Sequence, residues 1–455
     1  MENLKVYPAS KFQTARGEIC LAQTPEGDRI VAPKECGFSG EIHGSNVIAP
    51  TSAENAAVLR EHLPFTAPCR VLSRGKTFGF GDRLGLAGSG HLRVVSKTGV
   101  SPVLAQQSMR ELNLTRRTYS DVLNAATFAV FREGFTGGFG ADGDHLKTAE
   151  DIGNALALGY TMITLDASEH IRSDGGLLRD TSLEALYLGK RFELGNGLFL
   201  TYSPDELARY TYVYGDALDF AGEIWQRFFS GANPPADFEM SIDETSEPTD
   251  PKAHFFCACE LLRRGVRPTT VAPRFCGDFQ KGIDYIGDPA QFERELSAHA
   301  AIARRFGYKL SIHSGSDKFS IFPAVARNLD RWHVKTAGTS WLEAMRIVSR
   351  LDPGLFRASW KLALASFPEA LAYYHITSDP SALPPIESVS DGELPALFSD
   401  NAARQLIHIT YGQILNAPEL RNRLFSLWQT HSEDYAAALG AHLGKHLELL
   451  GEKLR

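Results

Sequence analysis

Three histidines in this chain stand beside small and charged residues: His145 in ADGDHLKT, His313 in KLSIHSGSDK and His333 in HVKTAGTS. Imidazole nitrogens, completed by carboxylate or water oxygens, suit Zn²⁺, Mn²⁺, Co²⁺ or Ni²⁺, and a coordination sphere left partly open lets substrate oxygens reach the ion. His145, His313 and His333 are therefore the expected ligands of a divalent cation, with His408 in LIHITYG as the reserve for the third position. They share no HExxH or other compact metal spacing, so the inference rests on the set, and for any one of them a structural role competes. His408 reads equally well as a neutral imidazole bonded to a substrate hydroxyl or a backbone carbonyl.

Asp144 directly precedes His145. A carboxylate near a hydroxyl that a metal has made acidic is suited to take its proton, which makes Asp144 the expected base. Glu244, in EMSIDET, is the candidate partner acid. Strand alternation points Asp243 and Glu244 to opposite faces, so which of the two serves the chemistry and which packs or contacts the ligand stays open. Arg274 and Lys335 fall at strand ends, and arginine offers a planar, bidentate match to a carboxylate. Ser316 and Asp317 follow His313, with Lys318 next, and either touch the ligand or shape the turn that aims the histidine. The loops 314–316 and 336–340 could add backbone N–H groups at helix starts. This combination favours a small, anionic, polyhydroxylated substrate.

The elements that must position these residues read as repeating strand–helix units. Short apolar or mixed runs at 77–80, 137–140, 161–165, 238–242, 269–272, 309–313, 332–335 and 405–409 alternate with helical patterns, the signature of a parallel sheet. Asp250-Pro251 and Asp288-Pro289 place a cap before a proline at the first helical position, and Ser340 with Glu343 spells a capping box. Eight strands predict an α/β fold, a (β/α)8 TIM-type barrel over residues 75–455, with insertions near 195–236 and 340–404 and a β-rich N-terminal extension or small lobe over residues 1–74. An open, doubly wound sheet is the alternative, but no GxGxxG follows a strand into a helix. In a barrel, the polar residues at the C-terminal strand ends build the active site.

A chain of 455 residues, 43% hydrophobic and 22% charged, can bury a sizeable core, and its formal charge of -7 without a basic block argues against a nucleic-acid groove or a membrane surface. The N-terminal MENLKVYPASKF has no apolar segment of signal type, so the expected location is the cytoplasm. Six cysteines are too sparse for a disulfide scaffold; Cys257 and Cys259 are expected to be buried thiols.

The blocks ADGDHLKT (141–148), EMSIDET (239–245), APRFCGDFQKGIDYIGD (272–288), KLSIHSGSDKFSIFP (309–323), HVKTAGTSWLEA (333–344) and LIHITYG (406–412) resemble the tagaturonate epimerase family of hexuronate catabolism. That resemblance implies a metal-dependent barrel enzyme interconverting D-fructuronate and D-tagaturonate, with the metal around His145 and His313 and with Asp144 and the SIDE segment near the chemistry. The carbon inverted in that reaction lies one carbon beyond the α position, so its hydrogen is not acidic and enolisation cannot invert it. Retro-aldol cleavage and re-addition is the favoured route, with Asp144 taking the hydroxyl proton, Glu244 or Asp243 helping to return it, and Arg274 and Lys335 holding the carboxylate. Transient oxidation with hydride return and direct proton removal are the alternatives. Two other functions compete: a metal-dependent sugar or phosphosugar isomerase or aldolase, and a non-catalytic sugar-acid-binding protein. The implied partner is a small-molecule sugar acid, and a homo-oligomer is compatible with all of this.

Overall fold

The computed structural model describes residues 4–195, 197–243, 245 and 247–454; Glu244, the candidate partner acid, lies outside the described residues. Eight parallel strands close into a barrel in chain order: Lys76–Phe80, Ser101–Ser108, Gly140–Leu146, Met162–Asp166, Asp237–Ile242, Thr270–Pro273, Lys309–Ile312 and Trp332–Thr336. The eighth strand pairs back onto the first, with His333 opposite Thr77 and Lys335 opposite Gly79.

Barrels of this kind usually fill their interior with branched aliphatic side chains. Here a buried polar column takes that place. Lys309 Nζ donates to Thr77 Oγ1 at 2.9 Å, Thr77 Oγ1 meets His333 Nδ1 at 2.9 Å, and Thr270 Oγ1 donates to Glu239 Oε2 at 2.6 Å. Buried polar groups are tolerated only when their hydrogen bonds are made, so this column fixes side-chain positions inside the barrel as well as filling it.

The capped helices at 250–251 and 288–289 form as the sequence leads one to expect: Asp250 and Asp288 accept from Lys252 N and Ala290 N, opening Pro251–Arg263 and Pro289–Phe306. The 25-residue helix Pro204–Phe228 begins with a true capping box between Ser203 and Glu206. Ser340 and Glu343 do not make one. Their helix, Thr339–Leu351, starts from Gly338 in the left-handed region, Ser340 Oγ faces His91 Nε2 at 2.8 Å, and Glu343 pairs with Arg346.

The strand expectations at 137–140 and 405–409 are corrected and one strand was missed: the run at 137–140 gives way to the strand Gly140–Leu146, which it meets only at Gly140. Residues 405–409 are the end of a buried helix, Asn401–Ile409, capped by Asp400, because a short apolar run reads alike as buried strand or buried helix. The strand Ser101–Ser108 was not anticipated, since Pro102 and the two glutamines disguise it. The count of eight survives, but KLSIH becomes the seventh strand and the barrel closes at Thr336. The segment 340–404 is therefore no insertion between barrel strands; it belongs to a C-terminal set of helices that runs on to Leu449.

Ahead of the barrel, six short strands between Lys5 and Pro50 form an antiparallel sheet. Its apolar face, including Ile19, Leu21, Ile30 and Val47, packs with Phe131 of the helix Tyr119–Glu133. No helix among the described residues is long and apolar enough to cross a membrane. All six cysteines are free; Cys257 is buried and Cys259 partly so.

Candidate active site

A cavity of about 820 Å³ opens at the C-terminal end of the barrel and is lined by Asp144, His145, Asp243, Arg274, Lys281, His313 and Lys335, among others. Asp144 and His145 are sequence neighbours that both line it, which ordinary strand alternation forbids. Between the pairs Gly143–Ile163 and Leu165–Leu146 the register shifts, so two residues of the third strand oppose only Thr164 of the fourth. That is a β-bulge, and it re-aims both side chains inward. His145 has φ 56, an uncommon conformation for a non-glycine residue, at the point where the bulge is made.

His145, Asp243 and His313 each bring one ligand atom within 4.8 Å of the others, a group able to hold a metal ion. Both histidines are oriented by carboxylates behind them. His145 Nδ1 lies 2.8 Å from Asp144 Oδ1, which leaves Nε2 for a ligand. His313 Nε2 lies 2.8 Å from Glu239 Oε1, which leaves Nδ1 facing Asp243 Oδ2 at 3.1 Å. Burial pushes the His313 pKa down, but the charges of Asp243 and Glu239 outweigh it and raise it to about 10. A positive charge is thus favoured where the three groups converge. Two imidazoles and one carboxylate, backed by further carboxylates, suit a first-row divalent cation with open positions.

His333 is not part of this cluster. Ser311 pairs with His333 across the seventh and eighth strands, so His313 is level with Lys335 and His333 lies two residues deeper. Its Nδ1 is taken up by Thr77, and burial lowers its pKa to about 3, keeping it neutral. His408, expected at a strand end, sits on the Asn401–Ile409 helix instead, where its carbonyl accepts from Arg83 at 2.9 Å.

Lys335 is a hub. Its Nζ lies 2.6 Å from Asp142 Oδ2 and 2.8 Å from both Asp144 Oδ1 and Glu239 Oε1, and it also donates to Thr164 Oγ1. Burial opposes its charge, but these carboxylates hold its pKa well above the ordinary lysine value. Asp144 is likewise favoured by burial to be neutral, yet Lys335 and His145 hold its carboxyl well below the usual range. Both contacts fall on Oδ1, and among the described residues Oδ2 takes no hydrogen bond. Asp142, fully buried, is raised to about 6 because desolvation exceeds the pull of Lys335.

The expected contact residues separate. Arg274 lines the cavity and donates to the Thr245 carbonyl. Ser316 faces away and bridges two loops, donating to Ala337 O and accepting from Ala337 N, both at 3.0 Å. Gly315 N donates to Lys335 O at 2.8 Å, so the loops 314–316 and 336–340 do not present a free row of N–H groups to an anion. Asp317, at φ 61, turns toward the C-terminal helix Ser432–Leu449.

The tagaturonate epimerase family profile matches residues 31–450 of this chain. The chain belongs to the tagaturonate epimerase family. A tagaturonate/fructuronate epimerase from Thermotoga maritima is 44% identical over 468 aligned positions, spanning 98% of this chain and 97% of that protein. Crystal structures of a fructuronate-tagaturonate epimerase from Cohnella laeviribosi, native and with one or two glycerols, match with a TM-score of 0.96 at 46% identity, over 99% of this chain and 97% of that one. This chain is thus an enzyme of an epimerase family built on a (β/α)8 barrel.

Within this epimerase barrel, sequence reasoning passed over Thr164 and Glu239, and placed Asp142 and Lys281 among the polar residues at strand ends without giving either a role. A signal for Glu239 was present: it opens EMSI as Lys335 ends HVK, opposite charges inside barrel strands, which is what a buried ion pair across a barrel looks like in one dimension.

A second group, Asp317, His442 and His446, also brings three ligand atoms together. Its hydrogen bonds favour a clamp. Asp317 Oδ1 meets His442 Nε2 at 2.6 Å, Arg404 lies 2.8 Å from Oδ2, and Asp317 N donates to His446 Nε2 at 2.9 Å, using the nitrogen a metal would need. The clamp ties the turn after His313 to the terminal helix. Burial pushes the Asp317 carboxyl up, but His442 and Arg404 hold it well below 3.8, so its stabilisation is present above 3.8 and lost as pH falls through the lower folded value. Burial pushes His442 down, but Asp317 raises it above 6.5, so its stabilisation is present below 6.5 and lost as pH rises through the raised value. Asp317→Asn is expected to lower unfolding free energy by about 3–5 kcal/mol, most between pH 3.8 and 6.5. Urea unfolding across pH checks this; a pH-independent difference below about 1 kcal/mol would mark the clamp as no stronger than a surface pair.

Proposed function

We propose that this chain is a divalent-cation-dependent epimerase that interconverts D-tagaturonate and D-fructuronate by retro-aldol cleavage and re-addition. The observation that carries the reading is the convergence of His145, Asp243 and His313 at the mouth of the cavity, with an unbonded oxygen of Asp144 alongside. The substrate pair comes from the names of the relatives and from cavity-lining cations, Arg274 and Lys281, that form no ion pair among the described residues. Zn²⁺, Mn²⁺, Co²⁺ and Ni²⁺ all suit this donor set. When bound, such a cation supplies Lewis acidity, making a sugar hydroxyl more acidic and stabilising negative charge on oxygen.

Asp144 Oδ2 takes the proton from the hydroxyl on the inverting carbon. Lys335 and His145 pin its other oxygen, which orients the carboxylate and keeps it ionised between turnovers. The bond to the α carbon then breaks, an aldehyde forms at the inverting carbon, and the remaining fragment keeps the electron pair as an enediolate. Rotation of the aldehyde presents its other face, the bond re-forms, and Asp144 returns the proton to the new hydroxyl. Arg274 contributes positive charge along the wall. Lys335, already neutralised by three carboxylates, serves Asp144 and not the substrate's carboxylate.

Chelator-treated protein is expected to lose conversion of D-fructuronate, followed by NMR, and to regain it when one of the four cations is restored. Undiminished conversion without metal would contradict the reading, as would turnover of phosphorylated sugars alone.

A further inference from the structure

The cations around the cavity sort by whether their charge is already matched. Lys335 has its carboxylates, Arg83 pairs with Glu111 at 2.8 Å, and Lys147 has Asp166 at 3.6 Å and Glu169 at 3.5 Å. Arg110 and Arg274 also line the cavity without an ion pair among the described residues, but they donate to the backbone carbonyls of Tyr373 and Thr245, whereas Lys281, likewise without an ion pair, donates from Nζ only to Ser314 Oγ, at 3.0 Å. A partly buried ammonium without a counter-charge in the free enzyme favours an anionic ligand.

Its position is held from behind. Gln405 Nε2 donates to Lys281 O at 3.1 Å and Arg404 Nε to Gly282 O at 2.5 Å, both from the helix Asn401–Ile409. Gly282 has φ +79, and a Cβ there would meet His408 Nδ1 at 3.1 Å, so the chain lies flat against that helix. On the other side Ser314 directly follows His313. A fixed cation therefore stands one residue away from the metal-ligand cluster, which is the arrangement a sugar acid needs to be gripped at both ends.

Building on the epimerase reading, we infer that Lys281 binds the substrate's carboxylate and retains the carboxylate-bearing fragment while the carbon chain is cut. Cleavage divides the hexuronate into two three-carbon pieces. The broken bond's electron pair stays with the enediolate, which on protonation is dihydroxyacetone. The other piece, 2-hydroxy-3-oxopropanoate, carries the new aldehyde and the carboxylate, and no oxidant or reductant enters. To invert the centre, the aldehyde need only turn about its bond to the neighbouring carbon, and a carboxylate anchored at Lys281 permits that turn while preventing escape.

The test uses metal-loaded wild type, Lys281→Met and Lys281→Arg, with D-fructuronate as substrate and D-fructose, its neutral counterpart, as competitive inhibitor. Lys281→Met is expected to lower kcat/KM for fructuronate ~30-fold, to leave inhibition by fructose unchanged, and to release free dihydroxyacetone and 2-hydroxy-3-oxopropanoate; Lys281→Arg should recover part of the loss. Equal weakening toward both sugars, or no weakening toward fructuronate, would overturn the inference. Calorimetric binding of fructuronate separates this outcome from failure of the epimerase reading. If wild type binds fructuronate but never converts it, the epimerase reading fails, while weaker binding by Lys281→Met alone still supports the carboxylate site and equal binding overturns it.

Discussion

His313→Ala is expected to abolish divalent-cation binding and to lower kcat/KM by roughly 10³-fold or more, the equivalent of several kcal/mol of transition-state stabilisation. The size follows from position. His313 is the most embedded of the three converging groups, held by Glu239 on one nitrogen and facing Asp243 with the other, so no neighbour can replace its donor. His145→Ala is expected to act in the same direction, and the double variant should be little worse than either single one, because the groups hold one ion together. Glu239→Gln, which weakens the orienting contact without removing a ligand, should reduce metal affinity by about 10–100-fold. Metal content of purified protein and turnover in matched metal buffers check all four variants. Full occupancy and full rate in His313→Ala would place the metal elsewhere.

Asp144→Asn is expected to differ in one respect: its metal affinity falls no further than that of Glu239→Gln, so metal content in saturating metal buffer stays close to wild type, while kcat falls by about 10²–10⁴-fold, the range for loss of a positioned general base. The amide oxygen can still accept from His145 Nδ1 and Lys335 Nζ, so the local geometry is preserved, and Lys335 keeps Asp142 and Glu239 as counter-charges. What is lost is an oxygen that can carry a proton. The split between occupancy and rate is the informative readout, since a ligand variant loses both. Wild-type turnover by Asp144→Asn would remove Asp144 from the chemistry.

The legibility of this site in one dimension depended on depth and register. Strands such as TMITL, FEMSI, KLSIH and WHVK announce themselves by alternation, and each was placed within a residue or two of its position. The segment ADGDHL was harder: it is a strand without an apolar run, because its inward side belongs to a polar column and its outward positions are small. His313 and His145, which the fold brings together with Asp243, could be picked out as candidate ligands since both stand at strand ends. The third position could not. His333 and Asp243 both look inward-facing in sequence, but His333 is the second residue of its strand and Asp243 follows the last residue of another, a difference set by inter-strand pairing. Lys335 looked like an anion-binding residue until Asp142, Asp144 and Glu239 were seen around it, and those contacts join positions up to 193 residues apart. Asp317 gave no hint of its tie to the terminal helix, for the same reason.

The central claim is that inversion proceeds through cleavage of a carbon–carbon bond at this site, leaving the hydrogen on the inverting carbon untouched. Direct proton removal and transient oxidation both break that carbon–hydrogen bond. Competition between D-fructuronate and the same sugar deuterated at the inverting carbon, read by NMR during conversion, distinguishes them in a single measurement. Cleavage and re-addition predict a rate ratio near unity with the deuterium retained; a several-fold slowing of the deuterated sugar, or replacement of its label by solvent hydrogen, would contradict the account.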